Sequence, residues 1–170
     1  MDLGFADATA VVVGGGRGMG FATARCLAED GARVALMGRS PEVLEAAAAE
    51  LSGLGSPDAL GVVVDIGDAQ RVECAFTELG ERWGGQLNVL VNTVGPGAAG
   101  TFEELTDEQW RAAVDDGAMG MVRCVRAALP LLRRCRYCGE RNGPASSTSP
   151  RTRRSGRASC CPPIPRRRRW

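Results

Sequence analysis

Seven residues, GGGRGMG at positions 14–20, constrain this chain more than any other feature. They follow directly on ATAVVV (residues 8–13), an apolar, β-branched run with no polar alternation, as expected of a strand buried on both faces. They lead into GMGFATARCLAED, where Met19, Ala22, Cys26 and Leu27 recur at helical spacing until Gly31 stops the pattern. Glycines between a buried strand and a helix allow a tight turn and close backbone approach. The helix then offers its unpaired N–H groups and the positive end of its dipole to a pyrophosphate. A dinucleotide is the ligand this arrangement suits.

The next residues repeat the alternation. Strands are predicted over 33–37 (RVALM), 60–66 (LGVVVDI) and 87–92 (LNVLVN), with helices over 41–51 and 69–83 between them. Ser40 and Pro41 supply an N-cap and a first-turn residue for the second helix. Residues 107–132 read as helical, with a break around Gly117 to Gly120 and a kink at Pro130. This order predicts an α/β fold, a Rossmann-like, doubly wound parallel sheet of about four strands.

The net charge of +1 conceals two different kinds of sequence. Residues 1–132 carry 9 Arg against 19 Asp and Glu, whereas residues 133–170 carry 12 Arg against one Glu. The second segment has a single large aliphatic residue after Leu132, Ile164, and is otherwise rich in Arg, Ser, Pro, Gly and Cys. Such a composition cannot offset the entropy of ordering, so residues 1–134 are expected to form one dinucleotide-binding domain and 135–170 a disordered basic tail. No apolar run approaches the length of a membrane span, and the start MDLGFADATA lacks the basic residues of a signal peptide, so a cytoplasmic protein is expected. The seven cysteines are odd in number, and Cys26, Cys74 and Cys124 fall singly in helix-like stretches. Buried free thiols are expected there rather than a disulfide framework.

The spacing of Gly14, Gly18 and Gly20, G-x-x-x-G-x-G, resembles the cofactor loop of the short-chain dehydrogenase/reductase family. Other landmarks follow in the family's order. VVDIGD is similar to the family's segment at the end of the third strand, where Asp65 stands, and LVNTVG to the Asn-Asn-Ala-Gly segment that closes its fourth strand, with Asn92 and Gly95 kept and Thr93 and Val94 substituted. WRAAVDDGAMGMVRCVRAALPLLR is similar to the long helix that comes next. The resemblance implies that Gly14, Arg17, Gly18, Met19 and Gly20 cradle the cofactor's phosphates. It also implies that Asp65 meets the adenine amino group, that Ile66 packs beside the ring, and that Asn92 and Gly95, at the end of the fourth strand, belong to the cofactor site. Members selective for NAD place an acid just after the second strand; here Gly38, Arg39 and Ser40 stand there instead. Arg39 can fork onto a 2′-phosphate, Ser40 can donate to it, and Arg17 adds a second positive charge, so NADP(H) is favoured over NAD(H). The implied activity is hydride transfer between that cofactor and a carbonyl or secondary alcohol, in an intact parent that forms homo-oligomers.

The family's catalytic groups do not carry over. Gly117 stands where the long helix should hold an asparagine, and family spacing from Asn92 puts the serine near Pro144 and the tyrosine near Arg157. The chain has no lysine, and Tyr137, its only tyrosine, precedes Arg141 at the pair spacing but comes too early, with Gly139 between them. No catalytic residue is therefore assigned, and the chain is expected to lack turnover. The abrupt change of composition near Arg133 suggests a reading-frame slip and a truncated reductase. The alternative is a non-catalytic dinucleotide-binding module whose Arg151 to Arg154 and Arg166 to Arg169, beside Trp170, bind nucleic acid weakly through phosphate neutralisation and stacking. Zinc ligation by Cys135, Cys138, Cys160 and Cys161 would lack any histidine and has an adjacent second pair, so no metal is assigned.

Overall fold

Alternate residues of the first strand belong to opposite faces of one sheet. The computed structural model describes residues 4–95 and 100–134. In chain order it contains β1 (Thr9–Val13), α1 (Gly18–Glu29), β2 (Arg33–Gly38), α2 (Pro41–Gly53), β3 (Ala59–Val63), α3 (Ala69–Arg82), β4 (Val89–Asn92), α4 (Asp107–Val114) and α5 (Gly120–Leu132). All strand pairs are parallel in the order β3-β2-β1-β4, with Val11 opposite Ala35 on one side and Leu90 on the other. The fold class expected from the alternation is the one observed.

Period-two geometry divides the core. Val11, Val13, Ala35 and Met37 meet Val72, Phe76 and Leu79 of α3 and Cys124 and Ala128 of α5. Ala10, Val12, Val34 and Leu36 meet Ala24 and Leu27 of α1 and Leu44 and Leu51 of α2. Both faces of β1 are thus covered, which is why ATAVVV has no polar alternation. Each fully buried Val, Leu or Phe contributes roughly 1.5–3 kcal/mol.

Several boundaries differ from expectation. The third strand ends at Val63, so Asp65 and Ile66 sit in the loop beyond it, although the Val64 N–H still donates to the Gly38 carbonyl at 2.8 Å. The fourth strand starts at Val89, because the Asn88 side chain accepts from the Thr9 N–H and its backbone N–H donates to the Thr9 carbonyl. Ser40 is the N-cap of α2 but makes no side-chain capping bond. The expected break in the long helix is a π-helical turn at Asp115–Met119, which keeps α4 and α5 continuous, and Pro130 is accommodated inside α5. Of the three cysteines expected to be buried, only Cys124 is; Cys26 is exposed on α1 and Cys74 is half-buried. Burial pushes the Cys124 thiol up to about 11, against the opposing effect of the Arg123 charge, so it stays a neutral core residue. Tyr137, Arg141, the tail arginines and Cys135, Cys138, Cys160 and Cys161 lie outside the described residues.

Candidate cofactor-binding site

The carboxyl ends of the four strands open on one groove. Its volume is about 750 Å³, and its walls include Gly14 and Arg17 after β1, Arg39 and Ser40 after β2, Asp65 and Ile66 after β3, and Gly95 after β4. Parallel strands all deliver their following loops to the same edge. Between β1 and β4 the chain order reverses, so the loops on either side part and leave a crevice.

The glycines of the first turn serve different needs. Gly14 and Gly18 have φ values of +77° and +59°, in the left-handed region that favours glycine. Gly20 is buried: a Cβ there would stand 2.5 Å from both the Gly14 carbonyl oxygen and Thr93 Oγ1. A Cβ on Gly15, a position the sequence reading passed over, would lie 2.7 Å from Leu36 Cδ2. The Gly14 N–H donates to the Met37 carbonyl at 2.8 Å, tying the turn to β2. Thr93, read from the sequence only as a departure, ties it to β4, since its N–H and its Oγ1 both donate to the Val13 carbonyl, at 3.0 and 2.8 Å.

Helix α1 begins on this turn without a side-chain cap. Its N-cap is Arg17, which has no side-chain acceptor, and no acidic residue stands in the first turn. The helix therefore presents donors and a positive dipole end with no internal anion to meet them. Among the described residues no carboxylate pairs with Arg17 or Arg39, and both are exposed.

The far wall is acidic and apolar. Asp65 is exposed and lines the groove, and its Oδ1 accepts from the Gly67 N–H at 2.9 Å, a local turn that fixes the loop. Ile66 is buried, and α5 comes so close that a Cβ on Gly120 would collide with the Ile66 side chain. Leu105, Gln109, Ala113 and Asp116 complete this wall; no local sequence signal marks them, because they arrive from the loop before α4, from α4 itself and from the π-helical turn. Gln109 is engaged in a capping box with Thr106.

Not every residue expected at the site lines the groove: Gly18, Met19 and Gly20 are not among its walls, and Met19 is 81% exposed. Asn92 ends β4 beneath the crevice, with its Oδ1 buried and without a hydrogen bond among the described residues. No group of three metal-ligating side chains occurs among the described residues, and no helix there is long and apolar enough to cross a membrane.

Comparison with known proteins places this geometry. A protein-family model described as short chain dehydrogenase matches residues 8–141. A meso-2,3-butanediol dehydrogenase from Serratia marcescens is 33% identical over 134 residues, 79% of this chain and 52% of that protein. A hexahydroindene-carboxyl-CoA reductase from Mycobacterium tuberculosis is 35% identical over 132 residues, 76% of this chain and 50% of that protein. Among solved structures, L-sorbose reductase from Gluconobacter frateurii, complexed with NADPH and L-sorbose, superposes with a TM-score of 0.71 at 31% identity, over 78% of this chain and 50% of that one. An alcohol dehydrogenase from Thermococcus sibiricus, complexed with 5-hydroxy-NADP, superposes with a TM-score of 0.69 at 34% identity, over 75% and 54%. The chain spans about half the length of the curated relatives it matches.

Proposed function

The chain belongs to the short-chain dehydrogenase family, and on that premise we propose that residues 1–134 are a domain that binds NADP(H), in preference to NAD(H), in the groove at the carboxyl edge of its sheet. One observation carries this reading: Gly14, Arg17, Arg39, Ser40, Asp65, Ile66 and Gly95, drawn from four separate loops, line a single groove. The donor set fits a dinucleotide. The uncapped start of α1 suits a pyrophosphate, Asp65 can accept from an exocyclic amine, and Arg39 with Ser40 suits a 2′-phosphate in a place where an acid would be needed for a ribose hydroxyl pair. The L-sorbose reductase and the Thermococcus sibiricus alcohol dehydrogenase were solved with NADPH and 5-hydroxy-NADP, which supports the same choice.

Such a cofactor supplies a hydride to a carbonyl or accepts one from a secondary alcohol. The chain's own part is to hold the phosphates, fix the adenine end and neutralise charge. The relatives' names range from a butanediol dehydrogenase to an L-sorbose reductase, so the proposed substrate class is no narrower than carbonyl or secondary alcohol. These 170 residues contain no lysine to lower a tyrosine's pKa, and Gly117 offers no side chain for a proton relay. Binding without turnover is therefore the proposed behaviour of this chain by itself.

Titration with NADPH and NADH, followed by fluorescence, tests it. The chain should bind NADPH more tightly, and Arg39→Ala should weaken NADPH about tenfold, the loss of one charge-assisted phosphate contact, while leaving NADH unchanged. Equal binding of the two cofactors would remove the selectivity, binding of neither would remove the function, and oxidation of an alcohol with NADP⁺ would remove the claim of no turnover.

A further inference from the structure

Arg123 is a charged residue of α5 whose side chain is only 18% exposed, and neither groove wall nor sequence motif accounts for it. Its guanidinium forks. Nη2 donates to Asp115 Oδ1 at 2.8 Å, while Nη1 reaches the Asp115 carbonyl at 3.3 Å and the Ile66 carbonyl at 3.4 Å. One side chain thus joins the π-helical turn to the loop that carries Asp65 and Ile66. That turn is also where α5 approaches this loop most closely, since Gly120 leaves no room for a Cβ beside Ile66. Asp116, next to the residue Arg123 holds, lines the groove together with Asp65 and Ile66.

The π-helical turn replaces the ordinary i+4 bonds by wider ones, the Gly120 N–H donating to the Asp115 carbonyl, and such turns are irregular single-turn features, so a tie from outside its own backbone steadies it. The loop after β3 is held at its start by the Val64 N–H bond to the Gly38 carbonyl and otherwise by local turns at Asp65 and the Asp68 cap of α3, none of which reaches α4 or α5. Arg123 supplies donors to both at once, which a lysine's compact ammonium cannot do in the same fork. It lines the separate depression between α3 and α5, behind the wall, and so does not face the groove's occupant.

We propose that Arg123 is a positioning residue that, through Asp115 and the Ile66 carbonyl, fixes the wall receiving the adenine end of the cofactor. This rests on the cofactor reading above. Binding of adenosine 2′,5′-bisphosphate and of nicotinamide mononucleotide to the full chain separates the two ideas. Arg123→Met should weaken the adenosine bisphosphate about fivefold or more and NADPH by the same factor, leave the NADPH to NADH ratio unaltered, and leave the mononucleotide unaffected. Arg123→Lys should recover only part of the loss, and hydrogen exchange of residues 64–68 should quicken in both variants. If Arg123→Met does not fold, Asp115→Asn, on a mostly exposed carboxylate, decides by the same two readouts.

Wild-type binding of the adenosine bisphosphate that is matched by folded Arg123→Met or Asp115→Asn would overturn the positioning role alone. So would equal losses for both half-ligands, which mark general destabilisation. A wild-type chain that binds neither NADPH nor the adenosine bisphosphate would instead overturn the cofactor reading, and this role with it.

Discussion

Gly20 and Gly18 are two glycines of one loop with opposite physical reasons to be glycine. At Gly20 the obstacle is space: an added methyl would strike the Gly14 carbonyl and Thr93 Oγ1 at 2.5 Å, and backbone cannot swing aside as a side-chain tip can. At Gly18 the surroundings are open, and the obstacle is a φ of +59°. Gly20→Ala should therefore cost about 1–3 kcal/mol as an overpacking change. Gly18→Ala should cost about 1 kcal/mol, the left-handed penalty alone. Urea unfolding of the two variants measures both. NADPH affinity should fall further for Gly20→Ala, because its strain moves the phosphate turn itself. Equal and small effects would mean that the turn yields more easily than its contacts imply. The sequence pattern G-x-x-x-G-x-G marks both positions alike, and only the neighbours distinguish them.

At the level of elements, the clearest electrostatic joint lies away from the groove, where α3 ends against the loop before β3. Asp58 accepts from Arg82 Nε and Nη2 at 2.8 and 2.6 Å and from Trp83 Nε1 at 3.0 Å. Burial raises the Asp58 pKa, but the Arg82 and Trp83 hydrogen bonds with the Arg82 charge together outweigh it, so its carboxyl sits below the ordinary aspartate range. Arg82 is correspondingly held above its ordinary value, chiefly by the bond to Asp58. A carboxyl depressed in the folded state contributes its full stability above the unfolded aspartate pKa of about 3.9 and loses it as pH falls through the folded value. Asp58→Ala should lower stability by about 1.5–3 kcal/mol at neutral pH, because Trp83 Nε1 and the guanidinium lose a charged partner. The difference from wild type should shrink below pH 4. A difference that persists unchanged at pH 2.5 would assign the loss to packing instead. Nothing local in SPDAL or GERWG announces this pairing; α3 brings the two stretches together only by crossing back over the sheet.

Across the whole molecule, apolar surface is distributed unevenly. Trp110, Val114, Met121, Val122, Val125 and Leu129 on α4 and α5 are each at least 37% exposed, and among the described residues β4 forms one edge of the sheet, with all four of its residues only half-buried. An apolar strand edge with unpaired N–H and C=O groups, flanked by an apolar helix face, is a template for association. The 170-residue chain by itself should elute from size-exclusion chromatography as multimers whose size grows with concentration. A monodisperse monomer that unfolds cooperatively in urea would show that this surface is covered within the chain.

The sequence by itself determined the strands, the helices, the parallel class of the sheet and the first phosphate turn. Each of these follows from short-range facts: the period of apolar residues and the glycine spacing after a β-branched run. Boundaries moved by a few residues where a side chain intervened, as Asn88 does at the start of β4. Only the tertiary structure decided that Met19 is not part of the groove walls, that Thr93 holds the glycine turn to β4, that Gln109 and Asp116 complete the far wall, and that Arg123 ties that wall to α5. The physical reason is separation along the chain. Helical and strand periodicity are set within a few residues, whereas the fourth residue of a wall 50 positions away is chosen by how parallel crossovers return to one edge of the sheet.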